Sequence, residues 1–412
     1  MNSYLLLVII MTLSAAFAYI NHRFLKMPFV IGLFFLSTVF SLVIISSKSW
    51  DRQQYAAIKS IIDQIDISKF VLEVMLGLLL FAGSLQTRWT DIRSQLRPIT
   101  LFSVGGVILS TILIAYLLSF VCNLFHFPVA FIHCLIFGAL ISPTDPIAVL
   151  GILTKANVPK KIESTIVGES LFNDGIGVVI FIALLDTFQL GNDKIDFSHF
   201  GALFLQEALG GAAFGLLLGF VLHKLLKSIN DYETEVLLTI AFVMAGYSLC
   251  SHFHLSGALA MVIMGLFVGN YKQDAAMSSH SQEYVHKFWE LLDVILNAVL
   301  FICIALVLVV IEFKTTYILI GFSAILIVLF SRVVVVYLPN LLFPKFTNIN
   351  NKEAKLIIWG GLRGGLSLAL VLSLPETEAK ELLVIATYMC VVFSILVQGL
   401  TIEKVAKKLS KK

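Results

Sequence analysis

The sequence predicts an all-α polytopic membrane protein with about 13 transmembrane helices. Hydrophobic residues make up 58% of the 412 residues, and Asp, Glu, Lys and Arg together only 13%. The mean hydropathy is +0.95, and apolar runs of about 20 residues follow one another with short connections. An average soluble domain is far more charged, at about 25%. The composition therefore excludes a soluble globular protein.

The five cysteines have no CxxC or CxxxxH spacing, so neither a disulfide framework nor a zinc site is expected. No cofactor is expected beyond transported ions. The predicted spans, taken in order, are 3–20, 28–47, 68–86, 97–121, 128–152, 163–185, 199–222, 233–251, 254–270, 286–310, 315–338, 354–374 and 382–406.

Most of the 29 Lys and Arg residues lie in or next to the odd-numbered loops and in the C-terminal tail, and only Arg332 and Arg363 are left for the membrane interior. Because cytoplasmic loops are enriched in basic residues, we expect the N-terminus outside and the C-terminus in the cytoplasm. An odd number of spans with a central seventh allows two six-helix halves of opposite orientation. This arrangement is typical of inverted-repeat secondary transporters.

The fifth and twelfth spans, which are mates in such a repeat, both carry a polar interruption. Two prolines interrupt the fifth span at 142–146 (SPTDP), and four glycines surround Arg363 at 360–365 (GGLRGG). Proline removes a backbone donor and glycine favours open backbone, so both helices are predicted to break. Opened backbone at mid-membrane leaves carbonyls and helix ends that compensate or bind charge.

The sixth span contains the most polar stretch within an apolar run, GESLFNDGIG at 168–177. A charged side chain at mid-bilayer costs from about 3 to more than 10 kcal/mol, so two acids here require a reason. On a helix Ser170, Asn173 and Asp174 share a face, with Glu169 beside it. Either the stretch is a polar cluster that holds helices together, or it belongs to an ion or proton pathway, which we favour.

Five motifs are spread over nearly the whole chain: SPTDPIAV, GESLFNDGIGVVIF, SGALAMVIMGLFVGN, FWELLDVILNAVLFICIAL and WGGLRGGLSLALVLSLP. This set resembles the sodium/proton antiporters of the NhaP and NHE type, within the cation:proton antiporter superfamily. The resemblance implies a core ion-translocation domain of 96–190 and 313–408. It also implies a dimerisation or scaffold domain of 1–95 and 199–312, a homodimer, and elevator-type movement of the core.

The same resemblance assigns roles to the polar residues of the two motifs. Asp174 becomes the carboxylate that binds Na⁺ (or Li⁺) and H⁺ alternately, and Asn173 stands where electrogenic relatives carry a second aspartate. Asp145, Thr144 and Ser170 look like the rest of the cation shell. Hard cations such as Na⁺ prefer these oxygen ligands.

Glu169 is expected to form a buried structural ion pair with an arginine, Arg332 first and Arg363 second. The chain also departs from the family pattern. Many members carry an acid in the third span where this sequence has Ala82, and Glu73, nine residues earlier, does not match that position.

Two acids near the start of the tenth span, Glu290 and Asp293, have two interpretations. They either line a cytoplasmic funnel or are hydrated at the membrane interface, and the second is favoured.

The predicted function is exchange of Na⁺ for H⁺ by competition for one buried carboxylate in the cell (inner) membrane, electroneutral at 1:1 because Asn173 cannot titrate. K⁺/H⁺ exchange is the nearest alternative. An intramembrane aspartyl protease that uses Asp145 and Asp174 is a second alternative, but this sequence has no Gly-x-Gly-Asp segment. A passive channel is a third, but a channel needs no protonatable binding residue. No enzymatic activity and no nucleic-acid partner are expected; the partners are monovalent cations, protons, lipid and a second copy of the chain.

Overall fold

The computed structural model describes residues 3–63, 66–145, 158–189, 197–270, 279–311 and 314–410. Within these residues the chain is helical and contains no strand. The helices, in chain order, are α1 Ser3–Ile20, α2 Phe29–Ser47, α3 Arg52–Asp63, α4 Ile67–Gln86, α5 Trp89–Ser94, α6 Leu96–Leu124, α7 Phe131–Ile141, α8 Lys160–Gln189, α9 Phe197–Lys227, α10 Tyr232–His252, α11 Gly257–Asn270, α12 Ser279–Val310, α13 Thr315–Leu342, α14 Pro344–Thr347, α15 Asn351–Gly360, α16 Gly365–Leu372 and α17 Glu378–Leu409.

The all-α, membrane-spanning fold class is confirmed. In the described ranges ten helices are long and apolar enough to cross a membrane, and α15 with α16 forms an eleventh span bent by 46°. The shorter apolar helices α7 and α11 coincide with the predicted fifth and ninth spans. The second half of the fifth span lies outside the described residues, so the count of about 13 and the inverted repeat stay predictions.

Helix α3 was not predicted, because its charged sequence lies in the connection between the second and third spans. Its Tyr55 hydroxyl donates to the main-chain carbonyl of Val309 at the end of α12, at 3.0 Å. Polar and apolar residues alternate with the helical period over Arg52–Asp63, as in a helix lying along a surface. The helix therefore packs across the end of α12 rather than spanning the membrane.

The outer face of α13 illustrates how the membrane helices divide their surfaces. Leu319, Phe322, Leu326 and Phe330 recur every three or four residues and are exposed, forming an apolar stripe. Arg332 lies on the opposite, buried face. The helical period thus separates an exposed apolar stripe from a buried face that carries the arginine.

Helices α8 and α12 begin on the same side of the protein. Tyr232 in the first turn of α10 stacks on Tyr284 in α12, with ring centroids 4.6 Å apart. At the end of α9, His223 contacts Phe267 near the end of α11. Asn270, the last residue of α11, donates to the carbonyl of the residue after α4 at 2.7 Å. That segment and the first residues of α8 line one cavity. Because α10 begins shortly after α9 ends, these contacts place the starts of α8, α10 and α12 and the ends of α4, α9 and α11 on one side of the protein.

Helix α8, with 30 residues, lies at the centre of the packing and contacts α6, α7, α9, α11, α15 and α16. All five cysteines are free and buried, as core residues are. The predicted division into 96–190 with 313–408 and 1–95 with 199–312 stays a prediction.

Candidate functional site

The two predicted helix breaks meet each other. Helix α7 ends at Ile141 and the chain continues without helical structure to Asp145, while residues 361–364 separate α15 from α16. The main-chain N–H of Asp145 donates to the carbonyl of Leu362 at 2.7 Å. The side chain of Asp145 packs directly on Gly364, where an added Cβ would meet its carboxylate. Glycine at this position therefore allows the two opened segments to cross.

Arg363, the second candidate partner of Glu169, binds the end of α7 instead. Its guanidinium donates to the main-chain carbonyls of Ser142 and Pro143, the latter at 3.1 Å. Its own main-chain N–H donates to the hydroxyl of Ser394 at 2.8 Å. A cation beside the carbonyl end of a helix is electrostatically favourable, and these carbonyls have lost their helical partners at the break. The arginine thus compensates the opened backbone.

Glu169 is paired with Arg332, the partner expected first. The guanidinium makes two parallel bonds to the carboxylate, one of them at 3.0 Å, and a third bond to the main-chain carbonyl of Ile357 at 3.1 Å. Both side chains are buried. Gly361 lies against the guanidinium, where a side chain would collide with it. One arginine therefore joins α8, α13 and α15.

Asn173 and Ser170 both bind Thr144. The amide of Asn173 accepts from the Thr144 main-chain N–H at 3.3 Å and donates to the Thr144 hydroxyl at 2.9 Å. The hydroxyl of Ser170 donates to the Thr144 carbonyl. A further close approach occurs at Gly177, where a Cβ would meet the Pro143 ring. These contacts fix the break of the fifth span on α8, so the structure brings together all three of these predicted site residues.

Asp174 lies next to this contact, one residue beyond Asn173. It is partly exposed, as is Asp145, and the two carboxylates interact electrostatically. Within the described ranges no hydrogen bond reaches the Asp174 carboxylate. Two carboxylates near each other repel when both are charged, so the pair favours either a proton or a cation between them.

At the position where many family members carry an acid, the third span has an apolar residue. Ala82 is fully buried, and Glu73 is exposed in a single π-helical turn of α4. In the tenth span Glu290 is exposed, whereas Asp293 is partly buried and interacts electrostatically with Asp145; the choice between a funnel and a hydrated interface stays a prediction. The signal for this partial burial was the four-residue spacing from Asp293 to Asn297, whose amide donates to the Asp293 carboxylate at 3.0 Å.

Comparisons with known proteins agree with this geometry. The family described as sodium/hydrogen exchanger, transmembrane, matches residues 12–408. The Na(+)/H(+) antiporter NhaP of Pseudomonas aeruginosa is 41% identical over 403 residues, covering 96% of this chain and 95% of that protein. The Na(+)/H(+) antiporter NhaH of Halobacillus dabanensis is 36% identical over 345 residues, covering 82% and 83%.

A solved structure shares the fold. The sodium proton antiporter MjNhaP1 from Methanocaldococcus jannaschii, determined at pH 8, has a TM-score of 0.75 and covers 98% of both chains at 18% identity. At this identity the likeness concerns the fold alone.

The buried ion pair leads to a double-mutant prediction. We expect Glu169→Gln and Arg332→Gln each to lower the free energy of unfolding by about 3–5 kcal/mol, because each leaves a buried charge without its partner. The double variant should lose less than the sum of the two. Glu403→Gln, which removes an exposed pair with Lys407, should change stability by less than about 1 kcal/mol. Thermal unfolding in detergent measures all four; strictly additive losses would contradict direct pairing.

Proposed function

This chain belongs to the sodium/hydrogen exchanger family, and from that premise we propose that it exchanges Na⁺, or Li⁺, for H⁺ at the Asp174 carboxylate. The observation that carries the proposal is the place of Asp174: a carboxylate without a hydrogen-bond partner among the described residues, beside the crossing of two broken spans. The relatives' names support Na⁺ as the cation, whereas oxygen ligands alone would also suit K⁺.

The proposed cation shell consists of oxygen atoms around the crossing. Asp174 and Asp145 supply charge, and the Thr144 hydroxyl supplies a neutral oxygen. Ser170 and Asn173 donate to Thr144, and their oxygen atoms complete the proposed shell. Their main role in this proposal is to hold Thr144 in place, because each has already used a donor on it.

Competition for one carboxylate gives exchange. A bare carboxylate at mid-membrane is disfavoured by desolvation, so Asp174 crosses the apolar barrier easily only when a proton or a cation neutralises it. A cation arriving on one side displaces the proton, and a proton arriving on the other side displaces the cation. The empty, charged state is the one held back, and leak is thereby suppressed.

The moving unit is proposed to be the core of 96–190 and 313–408. Three polar links between its two parts support this: Glu169 with Arg332, Arg363 with the Ser142 carbonyl, and Lys161 with Glu353 at 3.5 Å. The remaining 1–95 and 199–312 would form the scaffold, through which two copies associate in the cell (inner) membrane. The loop charges support an outside N-terminus and a cytoplasmic C-terminus.

Replacing the proposed carrier tests the site directly. We expect Asp174→Asn to abolish sodium-driven proton movement, by at least about a hundredfold, because the amide keeps the shape but binds no proton and carries no charge. Asp186→Asn, an exposed acid on the same helix, is the matched control and should retain exchange. Proteoliposomes with equal amounts of folded protein provide the assay. Near wild-type exchange by Asp174→Asn would rule out this residue as the carrier.

Electroneutrality follows from a single exchanging carboxylate, since Asn173 is neutral in every state. If Asp145 keeps its charge through the cycle, one Na⁺ is exchanged for one H⁺. The gradient ratio at which the flux reverses then does not depend on the membrane potential. Each uncompensated charge would instead contribute about 2.3 kcal/mol per 100 mV, roughly a fiftyfold shift in the balanced gradient ratio. The flux is followed in sealed proteoliposomes at zero and at about 100 mV, set by a potassium gradient and ionophore. A reversal point that moves with voltage would mean that a second acid also exchanges a proton.

A further inference from the structure

Helix α12 has a polar first third and an apolar remainder, and a polar stripe continues along one face into the apolar part. Glu290 is exposed, Asp293 is partly buried and Asn297 is only 2% exposed. Spacings of three, four and seven residues place the three side chains on the same face. From Ala298 to Val309 the helix is buried and apolar apart from a cysteine. The stripe therefore leads from water to the middle of the helix and ends there.

Asp293 is held in a fixed orientation. The Asn297 amide donates to one carboxylate oxygen at 3.0 Å and to the main-chain carbonyl of Asp293 at 2.9 Å. These two bonds use both amide protons. Across the part of the chain that the structure describes, the second carboxylate oxygen has no hydrogen-bond partner. One oxygen is thus used for orientation and the other remains available to a cation.

The stripe faces the crossing of the broken spans. Leu300, one turn beyond Asn297, lies against Gly365, the residue after the Gly364 on which Asp145 packs. Asp293 interacts electrostatically with Asp145, which interacts in turn with Asp174. The three carboxylates therefore form a series from the partly hydrated face of α12 to the proposed carrier.

Depth and direction also match. Asp293 and Asp174 each lie near the middle of the described length of their helices. Because α8 and α12 begin on the same side, the two acids have similar depth. Glu290, the residue of the stripe nearest to that side, is exposed. By the loop charges this side is the cytoplasm.

We propose that Asp293 is a loading carboxylate of the scaffold: it attracts the cation from cytoplasmic water, passes it to the site of Asp174 and Asp145, and stays behind when the core moves. The inference rests on the proposed function and on the division between core and scaffold. The proposed step is the reversible binding of a hard cation by the carboxylate oxygens of Asp293. The role depends on charge and position, and the cation leaves Asp293 unchanged.

A fixed scaffold residue acts on one side only, which sets the expected result. At an effective dielectric constant of about 20, unit charges roughly 8–15 Å apart change a binding constant by about five- to thirtyfold. We expect Asp293→Asn to raise the KM for cytoplasmic Na⁺ by that factor, with the maximal rate within about twofold and the KM for external Na⁺ unchanged. Everted and right-side-out vesicles present the two faces to the assay.

Two further variants separate charge from structure. Asp293→Glu keeps the charge and should recover most of the lost affinity, and Asn297→Ala keeps the charge but not its orientation and should raise the cytoplasmic KM by a smaller factor. Glu283→Gln, an exposed acid at the start of α12 paired with Lys287 at 2.6 Å, is the matched control and should leave both KM values unchanged.

Three results would overturn the proposal. Equal KM changes on both sides would place Asp293 in the moving site, unchanged KM values would leave it without a role, and a lower maximal rate at constant KM would indicate a structural role. Asp174→Asn, measured in the same vesicles, keeps these failures distinct. If it abolishes exchange while Asp293→Asn does nothing, only the loading role fails; if wild-type vesicles show no sodium-driven proton movement, the proposed function fails.

Discussion

In an apolar medium every buried charge must be neutralised nearby, and this constraint organises the interior of the protein. Glu169 and Arg332 neutralise each other, and Arg363 is satisfied by carbonyls that the break of the fifth span releases. Asp174 has no such partner in the described parts of the chain and lies near the like-charged Asp145. At the crossing of the broken spans, protein groups thus compensate Glu169 and Arg363, whereas in the proposed function a cation or a proton neutralises Asp174.

Much of this was predictable, because the signals are local. Two prolines at 142–146 and four glycines at 360–365 predict broken helices in any apolar span. The structure places both breaks in contact. An acid and an arginine inside apolar helices must pair, so Glu169 had only two candidates, Arg332 and Arg363. The same motifs carried the family resemblance, which the 41% identity to an antiporter confirms.

The rest depends on contacts between distant helices, which spacing does not reveal. That Asn173 and Ser170 both bind Thr144 follows from how closely α8 approaches the break, where Gly177 meets the ring of Pro143. That the helix face of Asp293 packs against α16 through Leu300 also depends on such a contact. Short helices such as α7 and α11 fall below the length of a full span, so hydropathy alone does not fix the number of crossings.

The central claim is that a proton and a sodium ion exclude each other at one carboxylate. Calorimetric titration of the purified protein with NaCl over a range of pH, in two buffers of different ionisation enthalpy, tests it most directly. Competition predicts that, at acidic pH where the carboxylate is protonated, the apparent Kd for Na⁺ rises about tenfold for each unit by which the pH falls. One proton is then released for each Na⁺ bound. A Kd that does not depend on pH, with no proton release wherever Na⁺ binds, would contradict the account.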